Sequence, residues 1–111
     1  MTAQWIFLLS AGALEIIATT IFRYTEGLTR VGPTIGFCVI GLASFYLLNR
    51  SINGEAAIPL GTAYAVWTGI GAAGTAIVGL MFYEEPSTAL RVAFLALLIG
   101  SIIGLKLVSS S

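Results

Sequence analysis

"LGTAYAVWTGIGAAG", residues 60–74, decides between two kinds of fold. Residues 69–74, GIGAAG, satisfy G-x-G-x-x-G, a pattern that cradles a pyrophosphate where it follows a strand and turns through polar residues into a helix. Here the glycines lie inside a run, 58–83, that contains no charged residue and no polar turn. The nucleotide reading fails. A run of this length matches the roughly 20 apolar residues that cross a bilayer, and glycines inside a spanning helix mark close helix approach or a point of bending.

Three more apolar runs flank this one, at 5–22, 33–48 and 88–108. Polar punctuation separates them: RYTEGLTRVGP at 23–33, NRSINGEAA at 49–57 and EEPST at 84–88 supply the charge, Gly and Pro at which a chain turns among lipid headgroups. The whole chain of 111 residues is 58% hydrophobic and 9% charged, with a mean hydropathy of +1.00, too apolar for a water-soluble domain to cover with polar surface. Backbone groups in lipid must be satisfied internally, so the expected fold is an all-α membrane protein, one transmembrane domain of four helices over 1–111.

Several function classes drop out at once. Five basic residues balance five acidic ones and there is no histidine, which removes the electrostatic footprint of a nucleic-acid binder and any His-based metal site. Cys38 stands alone inside an apolar run and reads as packing. AGA at 11–13 imitates a signal cleavage site, but no basic segment precedes it and further spans follow, so the first run is expected to be retained. NRS at 49–51 fits a glycosylation sequon but lies against the bilayer, and Glu84 and Glu85 in the last loop read as solvated, with no pocket around them.

Glu15 is the exception within the first run. A charge at the centre of a spanning helix costs about 2.5–3.5 kcal/mol on insertion scales, and every Lys and Arg lies at the end of a run, leaving no buried base to pair with it. A protonated acid bonded to a neighbouring helix is the bland alternative. On a helix, Ala11, Gly12, Ala18, Thr19 and Phe22 share the face of Glu15, and the small ones leave space around the carboxylate. On the third run Tyr64, Trp67, Gly71 and Gly74 form a stripe, placing a phenol and an indole over bare backbone. Aromatic faces attract organic cations by about 0.5–2 kcal/mol. Ser44, the most central hydroxyl of the second run, is positioned to bond either Glu15 or its own helix backbone.

Removal from water disfavours the charged form of a carboxylate, and a second carboxylate nearby disfavours it further. Such a pair titrates as a unit. A site where protons and a cation compete couples their two fluxes, provided that only loaded forms change facing, and needs no ATP-binding module, cofactor or metal. Four short helices do not readily enclose a pathway that opens to each side in turn, whereas two copies do. Arg23, Arg30 and Arg91 on one side face Arg50 and Lys106 on the other, a weak topology signal that permits insertion both ways round.

The chain resembles the small multidrug resistance family of bacterial transporters. The resemblance rests on length, four runs, the glutamate of the first run, EGLTR at 26–30 and PLGTAYAVWTGIG at 59–71, and covers essentially the whole chain. It implies an antiparallel homodimer in the inner membrane that exchanges protons for organic cations. By position it implies Glu15 as the shared proton and substrate site, Tyr64 and Trp67 as aromatic walls, Ser44 as the hydroxyl of the second helix, and Gly69 with Gly71 as the bend. The family's guanidinium exporters usually carry tryptophan where this chain has Ala18, and a bulky residue often stands where it has Gly41; Gly12, WTGIGAAG and GSIIGLK are similar to the guanidinium branch. Ala18 and Gly41 in place of bulkier residues would enlarge and depolarise the space near Glu15, which tilts the expected cargo toward lipophilic quaternary ammonium ions, with guanidinium export as the alternative. A non-transporting or hetero-paired membrane subunit is a further, different class.

Overall fold

The computed structural model describes residues 2–108. It contains four α-helices, α1 (Ala3–Phe22), α2 (Val31–Ser51), α3 (Leu60–Phe82) and α4 (Ala89–Val108), and no strand among the described residues. At about 1.5 Å per residue each helix is long enough for a hydrocarbon layer of about 30 Å, and all four have the apolar composition of membrane spans.

Proline chemistry moves two helix starts away from the edges of the apolar runs. The second run starts at Pro33, yet α2 begins at Val31, because the first-turn N–H groups have no helical acceptor and a proline there sacrifices nothing. The third run starts at Ile58, yet α3 begins at Leu60, because the residue before a proline is driven to extended backbone. Ile58 instead tucks into the core and donates its N–H to the Ser51 carbonyl at 3.0 Å. Thr88 caps α4, its hydroxyl accepting the Arg91 N–H at 3.3 Å.

α1 packs against both α2 and α3, while α4 rests mainly on α3 and reaches α1 through Lys106, whose ammonium lies 4.8 Å over the Trp5 ring. The α1–α3 seam runs in parallel register, with Ile70 over Gly12, Glu15 over Gly71, Ile16 over Gly74 and Thr19 against Thr75. Each level sets a small residue beside a larger one, or two hydroxyls together. In lipid the exclusion of water does not hold helices together, so such close fits and interhelical polar bonds must do so.

The main core gathers at one end of the molecule. Trp5, Leu8 and Ala11 of α1 meet Leu48 of α2 and Ala63, Val66 and Trp67 of α3, with Ile58 beneath. Gln4 tethers the same end by donating to the Asn53 carbonyl at 3.0 Å. The opposite half of the α1–α3 seam, from Glu15 upward, stays open on one side. α4 buries no residue, and the shortest extent of the backbone is 18 Å.

Candidate cation site

Glu15 sits half-buried on α1 with its aliphatic stem against Gly71; a Cβ at that glycine would lie 2.8 Å from the Glu15 Cγ. The missing side chain is what lets the carboxylate reach past α3 into a cavity of about 470 Å³. The walls of this cavity come from α1 and α3 and include Thr19, Tyr64, Trp67, Thr68, Gly71 and Thr75, with Glu85 from the α3–α4 loop.

One turn beyond Glu15, the Thr19 and Thr75 hydroxyls meet at 2.5 Å. Thr19 has one hydroxyl hydrogen and two carbonyls of its own helix within reach, those of Glu15 at 3.0 Å and Ile16 at 3.1 Å. The Thr75 hydrogen therefore fills the contact between the two hydroxyls, leaving lone pairs on Thr75 as acceptors. The site thus offers a cation one carboxylate and, beside it, hydroxyl oxygens.

The aromatic wall divides into two different environments. Tyr64 is 56% exposed and presents its ring to the cavity, whereas Trp67 is buried and stacks between Tyr64 and Phe45 at centroid distances of 5.8 and 5.0 Å. The Trp67 indole N–H donates to Ser44 Oγ at 2.9 Å, and Ser44 in turn donates to the Ala11 carbonyl at 2.7 Å. Ser44 therefore bonds neither Glu15 nor its own helix. It ties α3 through α2 to the carbonyl one turn before Glu15, the acceptor of the Glu15 amide in a regular helix.

Three other residues expected around the carboxylate lie elsewhere. Gly12 is filled by Ile70, to whose Cγ2 an added Cβ would come within 2.7 Å, so it joins α1 to α3 and leaves no space for a ligand. Ala18 is fully buried and lines no part of this cavity. Gly41 faces a separate apolar groove on α2 with Phe37, Cys38, Leu42 and Phe45. On α3, Gly69 lies against Ile102 and Leu98 of α4, Gly71 against Glu15, and Gly74 under Ile16, in a helix unbroken from Leu60 to Phe82. These glycines are positions of close approach.

Glu85 is not simply solvated. Its carboxylate folds over Gly79, pairs with Arg91 at 3.5 Å and belongs to the same cavity as Glu15. Thr68 and Thr75 were also hidden behind the more conspicuous aromatics, although Tyr64, Thr68, Gly71, Thr75 and Gly79 recur at steps of three and four residues. At the same end the Tyr24 and Tyr83 hydroxyls bond each other and the Arg23 guanidinium lies 3.8 Å over the Tyr83 ring. The bond to Tyr24 raises the Tyr83 phenol above its ordinary value.

Residues 3–98 match the sequence profile described as Small Multidrug Resistance protein. The chain is 46% identical to a probable guanidinium efflux system subunit, GdnD, of Bacillus licheniformis, over 96% of this chain and 99% of that protein. It is 44% identical to a guanidinium exporter of Proteus vulgaris over 96% and 99% of the two chains, and 43% identical to a guanidinium exporter of Escherichia coli over 94% and 96%. The four spans and the family match make this a multi-pass protein of the bacterial inner membrane, a transporter and not an enzyme. On this match over most of its length the chain belongs to the small multidrug resistance family.

Proposed function

We propose that the protein exports guanidinium ions in exchange for protons, with Glu15 as the site that the two cargoes occupy in turn. The observation that carries this reading is the pairing of one carboxylate with the Thr19–Thr75 hydroxyls one turn away in a cavity of about 470 Å³. Guanidinium is planar and presents several N–H donors, so it gains from oxygen acceptors set at fixed positions. A lipophilic ammonium ion gains mainly from volume and aromatic surface.

The tilt toward lipophilic ammonium rested on Ala18 and Gly41 enlarging the space near Glu15, and neither residue borders that space. The names of the relatives, guanidinium exporters at 43–46% identity, favour the guanidinium alternative as well. Proton exchange follows if Glu15 releases its proton to admit the cation and recovers one when the cation leaves, each loaded form alone being able to change facing.

A second chain completes the path. α4 buries nothing within the protomer, whose backbone measures 18 Å along its shortest extent. An antiparallel homodimer, favoured by the near balance of Arg23, Arg30 and Arg91 against Arg50 and Lys106, is the first choice. A hetero-pair is the second, favoured because the Bacillus licheniformis relative is named as a subunit of an efflux system. The test is a capacitive current from proteoliposomes holding this chain alone, with guanidinium and with tetraethylammonium. Guanidinium-evoked, proton-coupled current that vanishes in Glu15→Gln supports the reading. A tetraethylammonium current without a guanidinium current overturns it, and silence cured only by a second family member selects the hetero-pair.

A further inference from the structure

The cavity that starts at Glu15 ends at a second carboxylate. Glu84 adopts a left-handed conformation with φ of 54°, uncommon for a residue with a side chain and costing on the order of 1–3 kcal/mol. That turn sends the chain back over the end of α3, where the Glu85 N–H donates to the Gly79 carbonyl at 3.2 Å. The Glu85 carboxylate then lies over Gly79 so closely that a Cβ there would collide with it. Gly71, beside Glu15, and then Thr75 and Gly79 follow one another up α3 at about 6 Å per four residues. Glu85 thus stands about 12 Å along the helix axis from Glu15, with the Thr19–Thr75 hydroxyl pair between them.

The partner of Glu85 bears on what this carboxylate is for. Arg91 approaches it from the first turn of α4 through a single nitrogen at 3.5 Å, with the two side chains 41% and 40% exposed. A tight charge-assisted bond is about 2.7–2.9 Å long, so this pair is loose and open to water. The group held there is itself a guanidinium. On the guanidinium reading of the previous section, the mouth of the cavity already holds a tethered copy of the cargo's chemistry.

We propose that Glu85 is an outer cation subsite at the mouth of the transport cavity, at which an entering guanidinium displaces Arg91 and from which it passes along the Thr19–Thr75 hydroxyls to Glu15. Arg91 is a built-in competitor that keeps the subsite neutral while empty. A mere strut between loop and helix makes a different prediction, because removing either end of a strut has the same effect. Removing the ends of a competing pair has opposite effects.

The experiment measures the guanidinium concentration dependence of the proteoliposome current, together with the melting temperature, for Glu85→Gln, Arg91→Gln, Glu85→Asp and Gly79→Ala. Glu85→Gln is expected to raise KM about threefold, and Arg91→Gln to lower it by a similar factor, the range of an exposed ion pair. Maximal current stays within about twofold, since Glu15 is intact. Glu85→Asp retains most of the unmodified KM, and Gly79→Ala, which pushes the carboxylate off the mouth, raises KM as Glu85→Gln does. KM moving the same way in Glu85→Gln and Arg91→Gln, or unmoved in both, overturns the proposal. If Glu85→Gln does not fold, Gly79→Ala against Arg91→Gln decides by the same opposition of sign. A missing guanidinium current in the unmodified protein strikes the parent reading, whereas a normal current with parallel shifts strikes this one alone.

Discussion

Replacing Ser44 with alanine removes one oxygen and leaves a buried indole N–H with nothing to bond. Ser44 is fully enclosed, with Trp67 donating to it at 2.9 Å and Ser44 donating to the Ala11 carbonyl at 2.7 Å. The carbonyl keeps its partner within α1, so its share of the loss is small. A stranded buried donor costs about 1–3 kcal/mol in proteins generally, while interhelical bonds measured in a membrane average about 0.6 and reach about 1.7 kcal/mol, because the separated helices find other partners. The Trp67 donor lies in the buried core, where its bond to Ser44 is made. Ser44→Ala is therefore expected to destabilise by about 1–2 kcal/mol. Trp67→Phe also removes ring volume, so only a double-mutant cycle isolates the bond. Reversible unfolding in mixed micelles of the two single variants and the double variant should give a coupling energy of about 1 kcal/mol. A coupling within the ~0.3–0.5 kcal/mol at which independent sites add would refute the reasoning, and Ser44 would then be a passive filler between the helices.

Two further substitutions probe the site itself. Thr75→Val keeps the shape but removes the hydroxyl that Thr19 accepts, so the guanidinium KM should rise about two- to tenfold, the worth of one hydrogen bond, with a melting temperature close to that of the unmodified protein, because Thr19 remains bonded to its own backbone. An unchanged KM would remove the hydroxyl pair from the binding site. Gly71→Ala places a methyl 2.8 Å from the Glu15 Cγ, so either the carboxylate is displaced or the helices part, at about 1–3 kcal/mol. Coupled guanidinium current should fall at least tenfold, and wild-type current in this variant would show that the carboxylate need not reach past α3.

Hydropathy made the fold legible because a bilayer imposes one demand on every span. What it could not place were the ends. Pro33 and Pro59 both look like boundaries, yet Pro33 falls inside α2 and Pro59 just before α3. The difference depends on whether the residues before each proline find a use. Val31 and Gly32 continue into the first turn, whereas Ile58 is needed in extended form to enter the core. Loop residues with strained backbone are harder still, since nothing in EEPST announces that Glu84 will turn left-handed and return Glu85 to the cavity.

The site was legible to about one helical position. Glu15 stood out by its cost, and its orientation is a matter of one neighbour, Gly71. The stripe on α3 was read through Trp67 and Gly74, but Gly74 belongs to the seam under Ile16 and Trp67 gives its N–H to Ser44. The open face keeps Tyr64 and Gly71 but continues through Thr68 and Thr75, each one position, or about 100° of helix rotation, round from Trp67 and Gly74. Sequence periodicity reports which residues share a face but not which neighbouring helix that face meets, and in lipid every face is apolar enough to be the outer one. Only the small-against-large register of α1 on α3 breaks that symmetry. It closes the seam at Gly12 and Gly74 and leaves a carboxylate and two hydroxyls lining the cavity beside it, so the candidate site lies at the edge of the seam and not within it.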